Sequence, residues 1–241
     1  MSLPHAGGPV RDASTVCVIR PGDDGVEVLM VRRSASSVFV GGAYVFPGGA
    51  LDDVDRSELA RSLFGNERMS AWRSAAVRET AEEAGIVVPA GPGQPAIDGG
   101  TTGRSLLETL AEGGYRFDES RLAYLSNWVT PRGQPRRFDT RFFVTDAPRD
   151  LEAVPDASEV TEAVWVTPRT ALANRRQGWA MVTPTVATLQ LLCTYDDPAA
   201  VVSFARSQKT VPRIESRIVT VRGGSVRLLM PGDAGYEEAG P

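Results

Sequence analysis

Histidine and lysine are almost absent from this sequence. The single histidine, His5, lies in the Pro/Gly-rich stretch MSLPHAGGP, and the single lysine is Lys209. One histidine in such a stretch leaves no Ser-His-Asp or Cys-His arrangement to build, and it argues against His-ligated metals. Acid–base chemistry then falls to carboxylates, tyrosines or arginines. Basic side chains number 26 and all but one are arginine. A GC-rich genome is the simplest source of that bias, and any basic contact to a phosphate would be made by Arg.

Cysteine is also scarce. Cys17 and Cys193 each sit in an apolar run, TVCVI and LQLLCTY, and read as small core hydrophobes. No CxxC or Cys/His cluster is present, which argues against zinc. No apolar stretch approaches membrane-spanning length. The first residues lack the charged-then-apolar pattern of a secretory leader, and YEEAGP is not a peroxisomal address. The expected location is cytoplasmic, with no membrane partner. The net charge of −4 disfavours a broad grip on nucleic acid.

What is present is ordinary for a soluble globular chain: 42% hydrophobic and 23% charged residues over 241 positions, enough for one large domain. The β-rich runs 14–20 and 26–33 flank PGDDG and predict a hairpin. AYVFPGG reads as a short strand ending in a turn. Residues 56–66 suit a short helix that ends near Gly65. Residues 89–103 are a Pro/Gly-rich surface loop, followed by a helix at 104–112. Strands are expected at 122–131, 137–147 and 159–168, helices at 168–176 and 184–194, and a hairpin at 211–230 turning at Gly223-Gly224. The expected organisation is a mobile segment 1–13, one domain at 14–230 and a mobile segment 231–241.

The clearest helix is 70–84, with Ser70 as its expected N-cap and Gly85 as its stop. Its spacing places Glu79, Glu82 and Glu83 on one face, opposite Val77, Ala81 and Ala84. Three carboxylates on one side repel one another, and a hard cation such as Mg²⁺ would offset that. A solvated acidic face with Arg78 as a local ion-pair partner explains the same pattern. Upstream, the Gly48-Gly49 turn has no side chains in the way, so its backbone could approach a phosphate or offer a carbonyl to a metal.

FPGG followed by RETAEEAGI resembles the Nudix hydrolase signature: G, five residues, E, seven residues, then REUxEExGU, with U aliphatic. Arg78, Glu79, Glu82, Glu83, Gly85 and Ile86 stand where that pattern wants them, and Thr80 replaces an aliphatic residue. Asp55 follows Gly49 at the spacing of the first Glu. Between Asp55 and Arg78, however, lie 22 residues rather than seven. The excess of 15 residues, at about 56–70, resembles the insertion carried by the peroxisomal coenzyme A diphosphatase-type branch. VLMVRRS, VFPGGALDDVD, LSNWVTPRGQPRRFDTRFFV, EVTEAVWVTP and TPTVATLQLL are also similar to that branch.

The resemblance implies an α+β fold, a Nudix-type α/β/α sandwich around a mixed β-sheet. It implies a metal-dependent pyrophosphohydrolase using Mg²⁺ or Mn²⁺ on a small nucleotide-derived substrate, with coenzyme A or acyl-coenzyme A leading. ADP-ribose, a nucleotide sugar or a dinucleotide is the alternative, and a non-catalytic ligand-binding domain the rival of another class. By position, Glu79, Glu82 and Glu83 with the Gly49 backbone would hold metal, and Arg78 would orient them. Glu83 and Glu159 are the candidate bases. Asp55 reads equally as a turn aspartate. The substrate candidates are Gly48, Arg33, Arg132, Arg136, Arg137 and Trp128. The arginine loop, which also includes Arg141, reads as well as a solvated basic loop, and Trp128 and Phe138 as core. LMVRRSASSVFVGG lacks a histidine seen in many bacterial members of that branch. By analogy with the family, the chain would form a homodimer.

Overall fold

A computed structural model describes residues 8–37, 40–88, 101–221 and 224–239. His5 and most of the expected loop at 89–103 lie outside the described residues. No described helix is long and apolar enough to cross a membrane.

β1 (Val10–Gly22) and β2 (Gly25–Arg33) form the expected hairpin, closed by Asp23-Asp24 with Gly22 opposite Gly25. Gly25 takes a φ of 104°, in the left-handed region that a glycine adopts without strain. β1 is buried along its middle on both faces, because it runs through the centre of the main sheet. That sheet runs β3 (Tyr44–Val45), β2, β1, β6 (Arg137–Asp146), β5 (Ala123–Val129), β8 (Arg213–Glu215), with β4 (Gly48–Ala50) added to β1 and β7 (Val160–Val166) to β2. β6 lies parallel to β1, and β5 antiparallel to β6. The sheet is therefore mixed.

Helices cover both faces. α1 (Glu58–Phe64), α2 (Ser70–Ala84) and α3 (Gly103–Glu112) share one core with Val16, Val18, Leu29, Val31 and Phe143. α4 (Pro168–Asn174), α5 (Thr183–Leu192) and α6 (Pro198–Ser207) lie over the other, with Cys17, Ile19, Val28, Met30 and Phe142. The alternation of neighbours such as Phe142 and Phe143 between these cores is the period-2 pattern of a strand buried on both sides. The architecture is the expected α/β/α sandwich. Cys17 is buried and Cys193 half-buried, and both are free thiols.

One departure from simple pairing creates the ground for a site. β1 and β2 pair only near their hairpin, from Ile19↔Val28 to Gly22↔Gly25. Beyond that, the segment 44–50 fills the gap. β3 (Tyr44–Val45) pairs with β2, and β4 (Gly48–Ala50) pairs with β1. The Thr15 hydroxyl donates to the Pro47 carbonyl at 2.6 Å and holds the turn between them.

Four expectations need correction. Ser70 is the first helical residue of α2, and Met69 occupies the cap position. The Ser70 hydroxyl instead donates to the Phe64 carbonyl at 3.1 Å, tying the end of α1 to the start of α2. Residues 10–13, placed with a mobile end, belong to β1 and pair with β6. The segment 231–239 is held as well: the Tyr236 hydroxyl donates to the Glu215 carbonyl at 2.6 Å, and the Arg217 guanidinium lies 3.9 Å from the Tyr236 ring centroid. α6 was not expected at all, although Asp197 caps it by accepting from the Ala199 N–H and Pro198 opens it. The late hairpin is present as β9 (Arg217–Thr220) and β10 (Val226–Leu229), with Gly223 of its expected turn outside the described residues. Before it, β8 (Arg213–Glu215) joins the main sheet against β5.

Candidate active site

α2 is an unusual helix because polar and charged side chains are buried along it. Arg78 is 3% exposed and Glu83 2%. Such groups are tolerated only when paired, and Arg78 has many partners. Its Nε and Nη2 donate to the two oxygens of Asp55 at 3.2 and 2.9 Å. Nη1 lies 2.9 Å from both Glu79 Oε1 and Glu82 Oε2. Nη2 also donates to the Ala50 carbonyl at 3.2 Å. Burial alone would lower the Arg78 pKa, but Asp55, Glu79 and Glu82 outweigh it and raise it, so this guanidinium is permanently charged. It ties α2 to the β4 segment.

Asp55, 1% exposed, is the residue whose importance the sequence left open. It sits in the short 3₁₀ turn Asp53–Arg56, where its carboxylate accepts from the Asp52 N–H and from the Ser74 hydroxyl. The inserted residues leave the turn at Arg56 and return at Ser70. Between them, Ala60, Leu63 and Phe64 pack into the helical-layer core, and Phe64 stacks on Phe117 at 4.5 Å. The insertion thus folds as an added piece of core without separating Asp55 from Arg78.

The carboxylates meet the glycine turn directly. The Gly48 N–H donates to Glu83 Oε2 at 3.0 Å. A Cβ on Gly49 would lie 2.5 Å from the Glu79 carboxylate, so only glycine admits Glu79 at this distance. Burial, then the charge of Glu79, pushes the Glu83 pKa up to about 8 against the pull of the Gly48 N–H and Arg33. Burial likewise pushes Glu79 up to about 7, although Arg78 opposes it. Thr80 stands where the signature has an aliphatic residue; it is fully buried, and its hydroxyl donates to the Ala76 carbonyl at 2.7 Å.

Arg33 reaches this cluster from the end of β2, with Nη1 3.6 Å from Glu83 Oε1. Glu159 is exposed just before β7 (Val160–Val166), on a turn built around Asp156. The Val154 N–H donates to the Ala84 carbonyl, which docks that loop on the C-terminal end of α2.

Glu82 behaves differently from its neighbours. Its carboxylate takes the Arg78 guanidinium on one oxygen and the Gly103 N–H, at 2.6 Å, on the other. Among the described residues no three His, Cys, Asp or Glu side chains are already gathered to hold a metal ion. The donors nonetheless fit a hard divalent cation, since they are carboxylates and backbone oxygen. Three buried polar atoms on this ground also make no hydrogen bond: Glu83 Oε1, Arg33 Nε and Ser14 Oγ. Ser14 pairs with Gly49 across β1 and β4. Neither Ser14 nor Thr15 was singled out from the sequence, because a serine and a threonine in an apolar strand carry no motif.

The remaining substrate candidates lie elsewhere. Trp128 is buried in the core under α4–α6, on the sheet face opposite α2, and its indole N–H donates to Ser126 at 3.2 Å. Arg137 pairs with Val10, four residues along β1 from Ser14, and Glu215 grips it at 2.6 Å. Arg132 and Arg136 are exposed on the β5–β6 loop. Phe138 is half-buried.

Residues 10–184 match the NUDIX domain family model. The chain is 27% identical to acyl-coenzyme A diphosphatase NUDT19 of Gallus gallus, over 88% of this chain and 73% of that protein. Its identity to acyl-coenzyme A diphosphatase NUDT19 of Homo sapiens is also 27%, over 90% and 74%. The crystal structure of a NUDIX hydrolase from Alicyclobacillus acidocaldarius is 32% identical and superposes with a TM-score of 0.70, covering 82% of this chain and 97% of that one. With the matched region spanning most of the chain and the signature carboxylates folded against their glycine turn, the protein belongs to the NUDIX family and is a hydrolase of phosphoric anhydrides.

Proposed function

We propose that the protein hydrolyses the pyrophosphate of coenzyme A or acyl-coenzyme A, releasing adenosine 3′,5′-bisphosphate and the phosphopantetheine half. The observation that carries the hydrolytic reading is Glu83, buried, fixed on one oxygen by the Gly48 N–H and without a hydrogen bond on the other. The substrate class is supported by the two acyl-coenzyme A diphosphatases to which the chain is similar and by an insertion at the place where that branch carries one.

Glu79, Glu82, Glu83 and the Gly49 carbonyl would hold Mg²⁺ or Mn²⁺. Such an ion neutralises pyrophosphate charge and makes a bound water nucleophilic at neutral pH. Arg78 fixes the directions of Glu79 and Glu82. Glu82 already accepts from the Gly103 N–H, so a metal held by it would lie next to the start of α3. Arg33 lies beside Glu83 and would meet a phosphate oxygen. Glu159, exposed at the same end of α2, would accept the proton of the attacking water.

The test is a hydrolysis panel with purified protein and Mg²⁺ or Mn²⁺: coenzyme A, acetyl-coenzyme A, dephospho-coenzyme A, ADP-ribose, NADH and a nucleotide sugar. Products are identified by mass. Turnover of coenzyme A above the dephospho form, lost in Glu83→Gln, is the expected result. Preference for ADP-ribose would overturn the coenzyme A assignment and leave the metal helix standing. No Glu83-dependent turnover would overturn both.

A further inference from the structure

A cavity of about 660 Å³ opens at the other end of α2, away from Gly48 and Glu83. Its lining is strongly cationic: Arg68, Arg73, Arg141, Arg206, Lys209 and Arg213. The sole carboxylate among its lining residues is Asp139, already held by the Asn127 side chain at 2.6 Å and by Arg213 at 3.3 Å. Arg73 and Arg213 have carboxylate partners in Glu67 and Glu215. Arg68, Arg206 and Lys209 make no ion pair among the described residues and are exposed. These three cations come from separate places: just before α2, the last turn of α6, and the residues after it. Like charges brought together cost free energy unless a counter-ion joins them.

The walls are also held in place. Gln208 donates to the Leu125 carbonyl at 3.0 Å, which pins the segment carrying Lys209 to β5. The Arg141 guanidinium lies 3.7 Å from the centroid of the Trp72 ring system, and its buried Nη1 makes no hydrogen bond, the Asp12 and Asp139 carboxylates lying 3.7 and 4.0 Å away. Met69, Ala123, Ala205 and Val211 give the cavity apolar surface. Its volume is within the roughly 300–1,000 Å³ of small-molecule sites.

We infer that this cavity is a second anion site, which binds a phosphorylated small molecule apart from the carboxylates of α2. Arginine forks suit the oxygens of a phosphate, and a concave site with apolar walls suits a small organic phosphate rather than a strand of nucleic acid. The separation follows from strand pairing. Arg141, which lines the cavity, Ser14 and Gly49 lie on successive strands, so the nearest cavity wall and the glycine turn are about 10 Å apart at the strand spacing. A ligand here does not occupy the position beside Glu83. The inference does not depend on coenzyme A being the substrate.

The test is isothermal titration with inorganic pyrophosphate in EDTA, so that no metal recruits the probe to α2. The variants are Arg206→Ser/Lys209→Ser, both exposed, and Glu83→Gln, with circular dichroism melts to verify folding. Saturable 1:1 binding is expected, weakened at least tenfold in the double variant, changed less than twofold in Glu83→Gln, and falling steeply with salt. Absence of saturable binding would overturn the inference. So would loss in Glu83→Gln with the double variant unaffected. Equal affinity for citrate would overturn the assignment to phosphate.

Discussion

Arg78 and Asp55 form a buried two-pronged ion pair at 2.9 and 3.2 Å, although 22 residues lie between them in the chain. The signature expects seven. Because the insertion leaves and re-enters the fold near this pair, its length does not reach the site. Asp55→Ala would remove two hydrogen bonds from a guanidinium that is 3% exposed and leave it on Glu79, Glu82 and the Ala50 carbonyl. Because Glu79 and Glu82 keep the charge paired, the cost is that of lost hydrogen bonds to a charged group, about 1.5–3 kcal/mol. Urea unfolding of the metal-free protein should show that loss, and hydrolysis should fall because Glu79 and Glu82 lose their common anchor. The companion variant Asp55→Asn keeps an acceptor for Ser74 and should lose less. Equal stability of Asp55→Ala and wild type would contradict the structural role given to the pair.

The insertion itself is core. Phe64 is 4% exposed and stacks on Phe117, and the Phe117 N–H donates to the Leu63 carbonyl at 2.9 Å. Phe64→Ala should cost about 3–5 kcal/mol, the usual range for emptying a buried aromatic site. The measurement is the denaturation midpoint. At temperatures where the variant stays folded, kcat should be nearly unchanged, since Asp55 and Arg78 hold the site from the other side. A midpoint within error of wild type would mean the inserted helix is a surface ornament.

Much of this was legible in the residues. The i, i+3, i+4 spacing of Glu79, Glu82 and Glu83 and the stop at Gly85 fixed the helix and its acidic face. The β-rich runs on either side of PGDDG pointed to β1 and β2 as a hairpin. Three-dimensional pairing was not legible. Nothing local says that Glu82 bonds the Gly103 N–H, that segment 44–50 wedges between β1 and β2, or that Trp128 faces the layer opposite α2. An aromatic residue in a strand can face either side, and a one-residue bulge reverses it; the β5–β6 register shifts in this way between Tyr124 and Ser126. Asp197-Pro198, by contrast, was a readable helix start for α6.

A pH effect follows from Glu83. Its pKa is raised from 4.5 to about 8, chiefly by burial and then by Glu79. A carboxyl whose folded pKa lies above its unfolded one binds more protons in the folded state. Its contribution is therefore most favourable below about 4.5 and is lost as pH rises through about 8. Glu79, raised to about 7, acts in the same direction. In EDTA, Glu83→Gln should melt several degrees above wild type at pH 8.5, and the difference should shrink towards pH 5. Parallel melting curves for the two proteins across that range would refute the assignment.

The two glycines of the turn should fail in different ways. A Cβ on Gly48 would lie 2.4 Å from the Ser14 carbonyl oxygen, and Gly48 holds a φ of 154°, so backbone must move and strain is added. Gly48→Ala should lower the melting temperature markedly and loosen the N–H bond to Glu83. On Gly49 the obstacle is the Glu79 carboxylate, the end of a side chain that can swing aside. Gly49→Ala should therefore keep most of its stability, yet lose activity by about tenfold or more because Glu79, a proposed metal ligand, would be displaced. Melting temperature and kcat measured side by side separate the two. If Gly49→Ala unfolds as readily as Gly48→Ala, Glu79 is locked rather than mobile, and the turn supports the fold more than the chemistry.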